Sequence, residues 1–193
     1  MPGREAMHKK GEEGVDLARK ILESTTWIEL PFNSADNERV CTLELLDGTD
    51  KCFDAMGCIF RTPKTPLYVE AKNYDSSGGT QNTEYQEFLA NAYSITANDL
   101  KSGTDGKREF MWFTTHPFSL RKWSDLISVN EINAALEAHP EVLNGSSADF
   151  NIMNTVSNRL WLILVHHKQT ELTLSPDELG RIEGMLNRKG RKP

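Results

Sequence analysis

Apolar positions recur along this chain in two rhythms, a helical one near the start and a two-residue alternation through the next fifty residues. In residues 11–23 Val15, Ala18 and Leu22, with Leu17 and Ile21, form an apolar stripe at helical spacing. Acidic residues crowd the first turn of that helix, where the dipole favours them. A strand is predicted over 27–32 and a polar turn over 33–38. Residues 39–46 alternate as a second strand, and Asp47-Gly48 marks a tight turn. The next strand covers 51–60. Pro63 and Pro66 bound a turn over 61–66, and 67–72 follows as a strand. Residues 39–72 therefore read as a three-stranded antiparallel meander.

Beyond it, 75–80 is a small-residue loop. A helix starts near Thr83 with Tyr85, Phe88, Leu89, Ala92 and Thr96 on one face, and Thr83 with Gln86 forms a capping box. A glycine-containing loop over 101–107 leads to an apolar strand over 109–115. Helices over 119–128 and 129–138, a loop over 144–149 and a buried strand over 159–165 follow. Ser175-Pro176-Asp177-Glu178 starts a last helix that extends to Asn187. The fold class is α/β, a mixed β-sheet flanked by helices in one domain. Its core covers about 11–117 in the order α-β-β-β-α-β, and a helix/strand/helix extension covers about 118–193.

A hydrophobic content of 38% and a charged content of 26% fit an ordinary globular chain. No apolar run approaches the roughly 20 residues that span a bilayer, so no membrane partner is expected. The polar N-terminus lacks the apolar centre of a secretory signal, which implies a cytoplasmic location. Cys41, Cys52 and Cys58 lack the spacing of a zinc or redox pair and suit a reducing compartment. A net charge of −6 argues against coating nucleic acid through bulk charge. Basic residues are local, in 101–108 and 188–192.

The chemistry concentrates in 51–73. Asp54 lies on one strand. Glu70 and Lys72 lie two apart on the next, so both leave the same face while Val69 and Ala71 face the other way. Two carboxylates and an ammonium at one sheet edge suit a hard cation and phosphodiester hydrolysis. With 17 glutamates and 12 lysines, about one Glu-x-Lys tripeptide is expected by chance. The weight therefore rests on its setting: an aspartate on the preceding strand and a helix on each side.

In that setting Asp54 and, sixteen residues on, Glu70-Ala71-Lys72 resemble the PD-(D/E)XK, restriction-endonuclease-like nuclease superfamily. The first helix, GEEGVDLARKIL, is similar to those of Mrr-like and Holliday-junction-resolvase-like members. The resemblance covers about residues 11–117. It implies a Mg²⁺-dependent nuclease, with Mn²⁺ as a substitute, acting on nucleic acid and above all on DNA, in defence or repair. Asp54, Glu70 and the Ala71 backbone carbonyl would hold the metal, and Lys72 would orient the attacking water. Phe53 replaces the proline of the family pattern. Val15 stands where a glutamate often sits, which leaves Glu12 and Asp16 as candidate substitutes or merely as dipole-favoured acids. Gln86 is a candidate near the metal, or else the capping partner of Thr83. Lys101, Lys107 and Arg108, with the loop over 75–80, are candidates to hold the nucleic-acid backbone. A homodimer or a partner subunit would enlarge a small basic surface. Two rival readings stay open: an RNase or junction-specific resolvase, and a nuclease-fold binding subunit with a vestigial site.

Overall fold

The computed structural model describes residues 4–74 and 80–186. Helix α1 (Arg4–Ser24) is followed by β1 (Ile28–Asn33), α2 (Ser34–Cys41), β2 (Thr42–Glu44) and β3 (Asp50–Cys52). Then come β4 (Ala55–Ile59), β5 (Thr65–Lys72), α3 (Gln81–Lys101) and β6 (Glu109–Thr114). The remaining elements are α4 (Val129–Ala138), α5 (Phe150–Ser157), β7 (Leu160–Leu164) and α6 (Pro176–Glu183), with short 3₁₀ turns between them. The main sheet has the order β1-β4-β5-β6-β7, antiparallel from β1 to β5 and parallel from β5 to β7, while β2 and β3 form a separate hairpin. The fold is thus α/β with a mixed central sheet flanked by helices. Among the described residues no helix is long and apolar enough to cross a membrane.

The sheet divides two apolar layers, and the two-residue period of β5 assigns its side chains between them. Leu67, Val69 and Ala71 join Met111, Phe113 and the α1 residues Val15, Ala18 and Leu22. Tyr68 lies on the other face with Phe110 and Trp112, under α3, α4 and α5. Tyr85 and Phe88 of α3 meet the Trp112 ring at 5.3 and 5.4 Å between centroids, which fixes the helix against β6. The segment after residue 118 is no appendage: β7 is the fifth strand of the main sheet, and Ile132, Leu136, Met153 and Val156 complete the α3-side core.

Several boundaries differ from expectation. The strand expected over 39–46 shrinks to β2, because the Asn33 side chain accepts the Asp36 N–H and caps a short helix, α2, where a polar turn was expected. The strand expected over 51–60 breaks at Phe53-Asp54. Phe53, wholly buried, donates its N–H to the Cys41 carbonyl (2.9 Å), while Asp54 offers its carbonyl to the Ser34 N–H (3.0 Å). The meander is therefore β1-β4-β5, with the β2-β3 hairpin inserted. Pro66 lies inside β5, opposite Cys58, near the strand start where a missing donor is tolerated. Helix α3 begins at Gln81 with Thr80 at its N-cap, so Thr83 and Gln86 form no capping box. Leu120–Asp125 is 3₁₀ rather than α-helical, and α5, capped by the Asp149 carboxylate, occupies a stretch with no expected helix. The last helix starts where expected, with a Ser175/Glu178 capping box, but ends at Glu183.

Candidate active site

The break between β3 and β4 creates the site. The last β4–β5 pair is Ala55 with Val69, so the next inward-facing N–H on β5, that of Ala71, has no strand partner. Asp54 supplies one: its Oδ2 accepts the Ala71 N–H at 2.8 Å. Within a strand the N–H and C=O of one residue leave on the same side. The Ala71 carbonyl therefore also faces the Asp54 side. Gly14 of α1 packs close by: a Cβ there would lie 3.2 Å from Asn73 Cβ and 3.6 Å from the Ala71 oxygen.

Glu70 and Lys72 leave the opposite face of β5. Glu70 is 7% exposed. Lys72 Nζ lies 3.0 Å from Glu70 Oε1, 3.3 Å from Glu84 Oε2 and 5.5 Å from the centre of the Trp112 ring. The Tyr74 hydroxyl donates to Glu84 Oε2 at 2.8 Å. On the other Glu70 oxygen, Lys51 Nζ lies 3.2 Å away as an ion partner, yet that buried Oε2 accepts no hydrogen bond among the described residues. The cluster thus holds Asp54, Glu70 and Glu84 against Lys51 and Lys72.

Burial, and next the Glu70 carboxylate, push the Asp54 carboxyl up to about 6, against the opposing pull of the Ala71 N–H, Lys72 and Lys51. For Lys72, burial alone would lower the pKa. Glu70, Asp54 and Glu84 more than reverse this and hold the ammonium above the ordinary lysine range. Glu84 is held below its ordinary value: burial opposes this, but the Tyr74 hydrogen bond and Lys72 outweigh it.

Of the residues expected from sequence, the structure brings Asp54, Glu70 and Lys72 together. Glu12 and Asp16 are exposed on α1 and line a cleft of about 940 Å³ with Asn33, Asp36, Glu38 and Asp54. Asp54 alone belongs both to that cleft and to the Lys51–Glu70–Lys72–Glu84 cluster. Val15 lines the cleft too and is 8% exposed within the α1-side core. Gln86 is half-buried on the second turn of α3, and none of the cluster's hydrogen bonds or ion pairs among the described residues reaches it. Lys101, Lys107 and Arg108 lie elsewhere. Leu67 pairs with Glu109 and Lys72 with Thr114, so the 101–108 loop enters β6 about 16 Å from the site end of the sheet. Arg108 is further engaged by Asp99. Residues 75–79 and 188–192 lie outside the described residues.

Lys51, Tyr74 and Glu84 were missed. Lys51 sits three residues before Asp54, and only the strand break swings it toward β5. Glu84 reads in sequence as an acid in a first helical turn, but its position beside the end of β5 sets it against Lys72.

Among the described residues no three carboxylate, thiol or imidazole groups converge in a way that could hold a metal. The donors present still fit a hard divalent ion. Mg²⁺ is commonly held by one or two carboxylates and waters. Here two carboxylates interact, a backbone carbonyl faces one of them, and a buried oxygen of the other is without a hydrogen bond.

No family profile and no curated protein matches the chain. Among solved structures it is similar to the Acinetobacter baumannii Cap4 SAVED/CARF-domain containing receptor, at 14% identity and a TM-score of 0.33. That match covers 75% of this chain and 36% of the receptor, so the chain spans about a third of the receptor's length. At this similarity it carries no argument about fold or function.

Proposed function

We propose that this chain is a divalent-cation-dependent nuclease with a restriction-endonuclease-like core, hydrolysing phosphodiester bonds, above all in DNA. The observation that supports this reading best is the buried Glu70, paired with Lys72 on one oxygen, with the Asp54 carboxylate on the Ala71 N–H of the same strand end. Asp54, Glu70 and the Ala71 carbonyl would hold Mg²⁺, or Mn²⁺ in its place. The ion, when bound, lowers the pKa of a water and offsets charge on the phosphorane. Lys72 stays protonated at working pH, so it donates hydrogen bonds to the attacking water or a phosphate oxygen rather than accepting a proton. Its rigidity comes from Glu84, Tyr74 and the Trp112 ring, which hold one ammonium position in advance. Binding of nucleic acid as a homodimer or with a partner subunit belongs to the same reading, as does a setting in defence against foreign DNA or in repair.

One observation favours a second reading, a nuclease-fold binding subunit with a weakened site. Val15, at the place of the family's helix glutamate, is built into the core, and among the described residues no three carboxylate, thiol or imidazole groups are placed to hold one metal ion. Supercoiled plasmid, single-stranded DNA and RNA, each with Mg²⁺, Mn²⁺ or EDTA, separate the cases. Metal-dependent cutting of DNA supports the first reading, and cutting of RNA alone moves the substrate class. Binding of nucleic acid without cutting supports the second.

A further inference from the structure

The two oxygens of Glu70 are held differently. Lys72 sits on Oε1 at 3.0 Å and is fixed by two further groups, Glu84 and the Trp112 ring. Lys51 sits opposite Oε2 at 3.2 Å with no hydrogen bond to that oxygen, and its Nζ also lies 5.5 Å from the centre of the Phe53 ring and within electrostatic reach of Asp54. Lys51 comes from β3, a three-residue strand outside the main sheet. An ammonium opposite a buried carboxylate oxygen that lacks a hydrogen bond is a charge partner that a better ligand can replace.

We infer that Lys51 stands in for the divalent cation on Glu70 and, once the cation binds, serves as a second phosphate contact. This inference rests on the nuclease reading and deepens it. The charges are consistent with such an exchange. Three carboxylates (Asp54, Glu70, Glu84) and two ammoniums leave the cluster at −1 without metal. A divalent ion brings it to +1, and one phosphodiester brings it to neutral. Lys51, released from Glu70, is the cation with a flexible four-carbon stem and without the other ties of Lys72. Glu70 is never left buried without a counter-charge, which would be strongly unfavourable.

The test compares wild type with Lys51→Met, which keeps the stem and removes the charge, and with Glu70→Gln. Calorimetric titration with Ca²⁺ and Mg²⁺ reads cation affinity, and melting in EDTA reads folding. Lys51→Met should bind the cation about fivefold more tightly, because its competitor is gone, and should melt lower in EDTA. With Ca²⁺ present it should bind a short DNA duplex about fivefold more weakly. Unchanged or weaker cation binding by a folded Lys51→Met overturns the inference. Should Lys51→Met fold poorly, Lys51→Arg replaces it: a bidentate cation on Glu70 should weaken cation binding, and unchanged affinity overturns the inference. The underlying reading fails differently: wild type would bind no cation, or Glu70→Gln would bind it as well as wild type.

Discussion

Asp54 accepts the Ala71 N–H at 2.8 Å immediately past the last β4–β5 pair, so a carboxylate completes a backbone ladder that β4 itself leaves unfinished. The same side chain satisfies the end of the central strand and presents a charge beside Glu70. Structure and chemistry at Asp54 can therefore be separated by choice of substitution.

Asp54→Ala leaves the Ala71 N–H without its partner and should lower stability by about 1–3 kcal/mol. Asp54→Asn keeps an acceptor oxygen and should lose no more than about 1 kcal/mol. Urea unfolding of both variants measures this, and equal losses would show that the Asp54–Ala71 bond contributes little.

Stability should also depend on pH through Asp54. Its carboxyl is pushed up to about 6 from an ordinary 3.8. Between those values the folded chain binds more protons than the unfolded one, so this group makes stability fall as pH rises from about 4 to about 6. Asp54→Asn lacks the effect. Its stability relative to wild type should rise through that window and level off above it. Unfolding at a series of pH values in EDTA checks the sign, and a relative gain on acidification instead would contradict the buried setting beside the Glu70 charge.

Glu84 should act as a positioning residue through Lys72. Glu84→Gln keeps an acceptor for the Tyr74 hydroxyl but loses the charge 3.3 Å from Lys72. The expected result is about a five- to tenfold fall in kcat with KM and cation affinity little changed. Tyr74→Phe should give a smaller fall of about twofold. A loss confined to KM would assign Glu84 to substrate binding instead.

Gly57 tests the frame behind the site. A Cβ there would lie 1.8 Å from the Glu29 carbonyl oxygen, on the partner strand β1. Gly57→Ala should push β1 away from β4 at a cost of at least about 3 kcal/mol. Thermal melting reads this as a drop of about 6 °C or more. An unchanged melting temperature would contradict the close β1–β4 approach.

Much of this was legible in the sequence where one physical signal acted alone. The period of two in Leu67–Lys72 assigned Glu70 and Lys72 to one face, and the stripe of Val15, Ala18 and Leu22 gave α1 its buried side. Ser175 and Glu178 gave a helix start from local hydrogen bonding. The misreadings arose where tertiary contacts overrode a local pattern. Residues 39–46 alternate like a strand, but the Asn33 cap and burial of Cys41 turn their first part into helix. Phe53 is drawn into the core, which splits one apparent strand and creates the Asp54 position. Lys51 and Glu84 reach the site only through the strand break before β4 and the packing of α3 beside the end of β5, so no spacing rule could join them to Glu70. Lys101, Lys107 and Arg108 looked suitable by charge, yet the parallel register of β5 and β6 puts their loop at the opposite end of the sheet.

The most direct test is nicking of supercoiled plasmid by wild type, Asp54→Asn and Lys72→Met, each shown to be folded, with Mg²⁺ and with EDTA. Wild type should cut only with the cation present, and both variants should lose at least about 100-fold in activity. Metal-dependent cutting that persists in both substitutions would contradict it.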